Sequence, residues 1–146
     1  MLAAPALENF MHTVLVAAGV VIEDGKVLLD RRKGTGHLGG AWEFPGGKVE
    51  TGEDPRQTVV RELLEELGLR VRVGEILDVT FHHYEDAKKA VLLLFFEAFR
   101  VDESEEPQAI DVADVRWFGA NELAGLTFPA ADEAILRKVE RRLRED

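Results

Sequence analysis

Apolar positions along the chain change period several times, and each change marks an element. Residues 13–22 (TVLVAAGVVI) form a nearly unbroken apolar run rich in valine, the pattern of a central strand covered on both faces. Glu23-Asp24-Gly25-Lys26 supplies a hairpin turn, and Val27-Leu28-Leu29 returns as a second strand that ends in Asp30-Arg31-Arg32-Lys33. After Asp54 the period becomes helical, with Val59, Val60, Leu63, Leu64 and Leu67 on one stripe. Asp54 suits the N-cap, Pro55 the first helical position, Gln57 a capping-box-like pair with Asp54, and Gly68 a left-handed C-terminal cap. Residues 69–84 and 89–100 read as two strands joined by residues 85–88, and residues 91–96 (VLLLFF) lack alternation, so both faces are expected to be covered. Residues 101–110 are an acidic, exposed loop and residues 115–118 a short strand. Residues 121–124 form a helical turn, and residues 129–144 a second long helix with Ile135, Leu136, Val139 and Leu143 inward. Strands, helix, strands and helix in that order predict an α/β fold, a mixed sheet with helices on both faces.

Composition narrows the partners more than the fold. The 146 residues, 46% hydrophobic and 32% charged, suit one soluble domain with its own core. A net charge of −10 argues against gripping a nucleic acid polymer, which needs a positive footprint, but leaves a small nucleotide open because a bound cation inverts the field locally. With no cysteine there are no disulfides, thiolate metal sites or cysteine nucleophile, which is compatible with a cytoplasmic location. No stretch approaches a membrane span. Residues 1–12 (MLAAPALENFMH) read as a loose N-terminal segment without the basic start and apolar run of a signal peptide, and residues 13–146 as the single domain.

The chemistry concentrates in residues 47–69. Glu62, Glu65 and Glu66 are three and four apart, so on a helix their carboxylates share one face and repel one another. A cation removes that conflict, and all-oxygen ligands suit Mg²⁺ or Mn²⁺ rather than zinc. The cations at Arg31, Arg32 and Lys33 are either a solvated strand end or a phosphate clamp beside the carboxylate helix. Residues 34–40 (GTGHLGG) are read as a mobile surface loop bordering the cleft, since they lack the lysine and hydroxyl ending of a P-loop. His82 and His83 are neighbours on a strand, so they point to opposite faces and cannot serve one ion together.

Gly47, Glu53, Arg61-Glu62-Leu63, Glu65-Glu66 and Gly68-Leu69, at their spacing, resemble a complete Nudix box. The run Trp42 to Glu50 (WEFPGGKVE) and the later FPAADE around Asp132 are similar to the MutT-type nucleoside triphosphate pyrophosphohydrolases of that family. The resemblance implies a Nudix-type α/β/α sandwich with a mixed sheet, and metal-dependent hydrolysis of a nucleoside triphosphate, ordinary or oxidised, to monophosphate and pyrophosphate. It further implies that Glu62, Glu65 and Glu66 are catalytic and hold the metal with the Gly46 carbonyl. Asp111, six positions before Trp117, joins them where the family more often has glutamate. Glu53 activates water or orients the helix, and Arg61 pairs with Glu53 rather than with substrate. Arg32 and Lys48 are read as phosphate contacts, and Phe44 and Asp132 as the base site. An ionised Asp132 only accepts hydrogen bonds, which favours cytosine or adenine, or a guanine held by its N1–H and N2 amine. The other reading makes Asp132 a helix-start carboxylate suited to the dipole. The proline of ADP-ribose hydrolases is missing between Pro55 and Pro107, and the SQPWPF motif of NADH hydrolases is absent. Alternatives are hydrolysis of another nucleoside diphosphate-linked compound, or a ligand-sensing Nudix module without turnover. Oligomeric state is not legible.

Overall fold

The computed structural model describes residues 12–34, 39–85 and 88–145. Residues 1–11 and 35–38 lie outside these, and with them the expected loose N-terminus and most of the expected mobile glycine loop. Strand β1 (His12–Val20) pairs in parallel with β7 (Lys89–Arg100) and antiparallel with β5 (Gly46–Lys48). β7 pairs antiparallel with β6 (Val71–Tyr84), so this mixed sheet has the order β5-β1-β7-β6. The apolar run at residues 13–22 is not one strand. At Val21 the chain leaves the first sheet, and β2 (Ile22–Glu23) pairs with β3 (Lys26–Arg31) in a second, antiparallel sheet that includes β4 (Trp42–Glu43) and β8 (Asp114–Gly119).

Strand alternation sends neighbouring residues into two cores. Ala17, Val21, Leu28 and Phe96 pack with Val59, Leu63 and Leu67 of α1 (Pro55–Leu67). Ala18, Val20, Leu29 and Phe95 pack with Ile135, Val139 and Leu143 of α3 (Glu133–Glu145). Helices on both faces complete the α/β/α sandwich, with the four-residue α2 (Ala120–Leu123) after β8. Among the described residues no helix is long and apolar enough to cross a membrane. Two details of the expected helix are corrected. Leu64 is 50% exposed instead of joining the apolar stripe, because it sits at the edge of the contact that Val59, Leu63 and Leu67 make. Asp54 caps the amide of Arg56 as the N-cap, and among the described residues no hydrogen bond joins Gln57 to it.

The C-terminal end of α1 fixes one wall of the site. Gly68 takes φ 65° and its amide caps the last turn, as the sequence predicts. The loop before β8 then docks on the same end: the amides of Ile110 and Asp111 both donate to the Glu66 carbonyl, at 3.0 and 3.1 Å. A side chain at Gly68 would be strained by its left-handed backbone and would meet Ile110 at 3.0 Å. Gly68→Ala is therefore expected to destabilise the fold by ~1 kcal/mol, read as a fall of a few degrees in Tm. An unchanged Tm would mean that the docked loop moves away without cost.

Candidate active site

The carboxylate face of α1 opens onto a cleft of about 390 Å³. Its lining includes Glu62, Glu65, Glu66 and Asp111, the β5 residues Gly46, Gly47 and Lys48, and Arg32, Lys33 and Glu43. Phe44, Leu93, Phe95, Tyr84 and Ala131, which share one core cluster, make up an apolar part, and Asp132 also lies on the lining. Phe44 is buried edge-on against Phe95, with ring centroids 5.6 Å apart. The residues picked from the sequence thus share one cleft, with one exception. Glu53 lies behind the wall, in the grip of Arg61.

That grip organises the helix. Arg61 donates from Nε to Glu53 Oε2 at 2.8 Å and from Nη2 to Glu53 Oε1 at 3.0 Å, and Nη2 also reaches the Lys48 carbonyl at 3.1 Å. Nη1 donates to Glu62 at 2.9 Å and to Glu65 at 3.3 Å. Glu53 Oε1 further accepts from the Thr58 hydroxyl at 2.7 Å and the Glu50 amide at 3.1 Å. The bonds from Arg61 and Thr58 hold the Glu53 carboxyl down at about 2, and the bond to Glu53 raises Arg61 above its ordinary value. A carboxylate so occupied and so weakly basic suits orientation of the helix better than activation of water.

Two glycines let β5 lie close to its neighbours, Gly47 against this helix and Gly46 against β1. A Cβ at Gly47 would stand 2.5 Å from the Glu62 carboxyl carbon, and one at Gly46 would strike the Ala17 carbonyl. Even alanine at either position displaces backbone or a site carboxylate. Glu66 is pushed up to about 10, first by burial and then by the neighbouring Glu62 carboxyl. Among the described residues no three acidic or histidine side chains already converge on one cation-sized point, since Glu62 and Glu65 close on Arg61. The donor set nevertheless fits a hard divalent cation: all its donors are oxygens, and the close approach of Gly47 to Glu62 leaves the carboxylate at the surface of the cleft. Arg61 bonds Oε1 of Glu62 and Oε2 of Glu65, so each carboxylate keeps a second oxygen that Arg61 does not hold. Asp111 stands at the rim, its side chain 72% exposed and paired with Lys33 at 3.1 Å.

Elsewhere on the lining, burial works against the ionised form of Asp132 expected from the sequence. Asp132 is 3% exposed in the 3₁₀ turn Ala130–Asp132 just ahead of α3, where the Ala131 amide donates to the Tyr84 hydroxyl at 3.1 Å. Burial, with Glu43 adding and Arg32 opposing, pushes its carboxyl up to about 8, so it keeps its proton at neutral pH. A neutral acid both donates and accepts. The turn directly precedes α3, so the helix-start reading of Asp132 keeps its position in the fold, while a proton-bearing carboxyl draws less from the helix dipole. His82 and His83 do face opposite ways: the His82 ring meets Tyr84 at 4.4 Å, while His83 is exposed.

Sequence reasoning assigned no role to Glu43 or Asp30. Glu43 pairs with Arg32 at 3.3 Å on the cleft wall. Asp30 lies opposite it across β3 and β4, fully buried. The available signals were an acid one step inside the end of an apolar strand and a glutamate between two aromatics.

A family profile described as NUDIX domain matches residues 13–142. The chain is 30% identical over 132 residues to the 8-oxo-dGTP diphosphatase of Escherichia coli (strain K12), covering 90% of this chain and 99% of that protein. It is 49% identical over 65 residues to the CTP pyrophosphohydrolase of the same organism, covering 44% of this chain and 48% of that protein. The crystal structure of a MutT NUDIX hydrolase from Burkholderia pseudomallei superposes with a TM-score of 0.77 at 27% identity, covering 88% of this chain and 98% of that one. The box glutamates, the two close-packed glycines and this match along nearly the whole chain lead to one conclusion: the chain belongs to the Nudix family, as a MutT-like hydrolase of phosphoanhydride bonds.

Proposed function

We propose that the protein hydrolyses a nucleoside triphosphate, ordinary or oxidised, to the monophosphate and pyrophosphate, in the manner of nucleotide-pool sanitation. The observation that carries this reading is the mixed lining of one cleft: carboxylate and carbonyl oxygens from α1, Asp111 and β5, together with the apolar Phe44, Leu93, Phe95 and Ala131 and the buried Asp132. A phosphate chain and a base need those two environments at once. The 8-oxo-dGTP diphosphatase relative supports the substrate class.

Glu62, Glu65, Glu66, the Gly46 carbonyl and Asp111 hold the metal, Mg²⁺ with Mn²⁺ as a substitute. When bound it neutralises charge on the phosphate chain and makes a water easier to deprotonate. Arg61 and Glu53 keep the helix at a fixed angle to β5, so the carboxylates present their oxygens without reorganising at the moment of reaction. Arg32 and Lys48, both on the cleft lining, contact the phosphates, and Phe44 supplies apolar surface for the base.

Release of monophosphate and pyrophosphate over a panel of ordinary and oxidised nucleotides, with Mg²⁺ and with EDTA, tests the reading. Turnover with Mg²⁺ and none with EDTA is expected; affinity without turnover would make the protein a ligand sensor. In ¹⁸O-labelled water the label is expected in pyrophosphate, as attack at the β-phosphorus requires. Label in the monophosphate would move attack to the α-phosphorus and relocate the metal relative to the chain. A second reading, a cytidine triphosphate or modified dCTP as substrate, is favoured by the local identity to the CTP pyrophosphohydrolase.

A further inference from the structure

Asp30 is the one fully buried acid in the second sheet, and the roles proposed so far leave it without a function. It is 0% exposed, and among the described residues no hydrogen-bond donor reaches either of its carboxyl oxygens. An unpartnered buried carboxylate costs several kcal/mol, so such a group persists only where something else compensates it. What faces it is the carboxyl of Glu43, its register partner across β3 and β4, and each carboxyl acts on the other's proton affinity. With only oxygens on both sides, a bond between them exists only when one carboxyl carries a proton. Burial favours Asp30 as the holder, pushed up to about 9 by desolvation and then by the Glu43 charge. Glu43 is a quarter exposed and already accepts from Arg32 at 3.3 Å, so it is the better anion. The result is a short chain: neutral Asp30 donating to Glu43, and Glu43 accepting from Arg32.

We propose that Asp30 is a positioning residue for phosphate binding: by donating to Glu43 it weakens Glu43's hold on Arg32 and leaves that guanidinium free to turn toward the phosphate chain. Two donors share the charge of one carboxylate, so each is held less tightly than if it were alone. Asp30 does not line the cleft, whereas Arg32 and Glu43 do, so it acts only through them. The inference rests on the reading of Arg32 as a phosphate contact.

The test uses the full-length protein and the nucleoside triphosphate that it turns over fastest with Mg²⁺. Asp30→Leu removes the donor while keeping the branching at Cγ in a larger side chain. KM is expected to rise about tenfold with kcat little changed, because the loss falls on ground-state binding through Arg32. Tm is expected to stay level or rise, since a buried carboxyl gives way to a hydrophobe. Asp30→Asn keeps a donor and is expected to retain the wild-type KM. In a Glu43→Gln background, where the hold on Arg32 is already loosened, the effect of Asp30→Leu on KM is expected to vanish. An unchanged KM in Asp30→Leu, or an equal rise in Asp30→Asn, overturns the proposal. Should the leucine chain fail to fold, Asp30→Thr and Asp30→Val repeat the comparison with strand-compatible side chains of one shape, only the first of which donates. Failure of the parent reading looks different. Arg32→Ala would then leave KM unchanged, while the coupling of positions 30 and 43 would still appear in Tm, which needs no substrate.

Discussion

Glu66→Gln is expected to lower kcat by roughly 10²–10⁴ while leaving the fold intact, the scale for losing a principal catalytic group. Glu66 is held between the C-terminal turn of α1 and the cleft, and its backbone carbonyl anchors the loop that carries Asp111. Substitution of the side chain leaves that carbonyl in place. In the metal-free protein burial and the Glu62 carboxyl already favour a protonated Glu66, of which glutamine is a near isostere, so Tm is expected to change little. The proposed metal-loaded enzyme differs, because there the carboxylate's charge would hold the cation and an amide oxygen is a poor replacement. The two states therefore respond oppositely: stability of the free protein is preserved, while Mg²⁺ affinity and turnover collapse together. Near-normal turnover at saturating Mg²⁺ would remove Glu66 from the metal site. A large fall in Tm would instead make it a structural residue of the helix end.

Much of this site was legible because its determinants are local. Asp54, Pro55 and Gly68 bound α1 through bonds that span a few residues, and spacings of three and four place Glu62, Glu65 and Glu66 on one face by helix geometry alone. The long β6 and β7 pair follows from two apolar runs flanking a short polar turn. What was not legible depends on distant partners. The break at Val21 comes from a change of sheet inside an unbroken apolar run, and no change of period marks it. The Asp30 and Glu43 pair needs the register of β3 on β4 across a glycine-rich connection whose length does not fix it. The neutrality of Asp132 depends on burial under a turn anchored by Tyr84, 47 positions away from Ala131. An acid read alone is charged; the same acid at 3% exposure beside Glu43 is pushed toward its neutral form.

The second large effect concerns that proton and the choice of base. If Asp132 reads the base, wild-type discrimination among bases is expected to shift by ~1–3 kcal/mol between pH 6 and pH 9.5, about 5- to 150-fold in the ratio of kcat/KM values. Below about 8 the neutral carboxyl donates and accepts; above it the carboxylate only accepts, and a base that offers an acceptor loses its partner. Cytosine and adenine nucleotides are the right pair, because neither base titrates in that window. Asp132→Asn also donates and accepts but cannot ionise, so its ranking is expected to match the neutral wild type and to stay level across the same range. Stability carries the same signature. Asp132 binds its proton more tightly in the folded chain, at about 8, than in the unfolded chain, at 3.8. Its contribution is therefore complete below about 4 and is lost as pH rises through 8. Asp30, raised to about 9, acts in the same sense, so Tm of the metal-free protein is expected to fall from pH 6 to pH 9 and to fall less steeply in Asp132→Asn. A sloping Tm with pH-independent base ranking would leave Asp132 as a buried acid that supports the turn before α3 without touching the base.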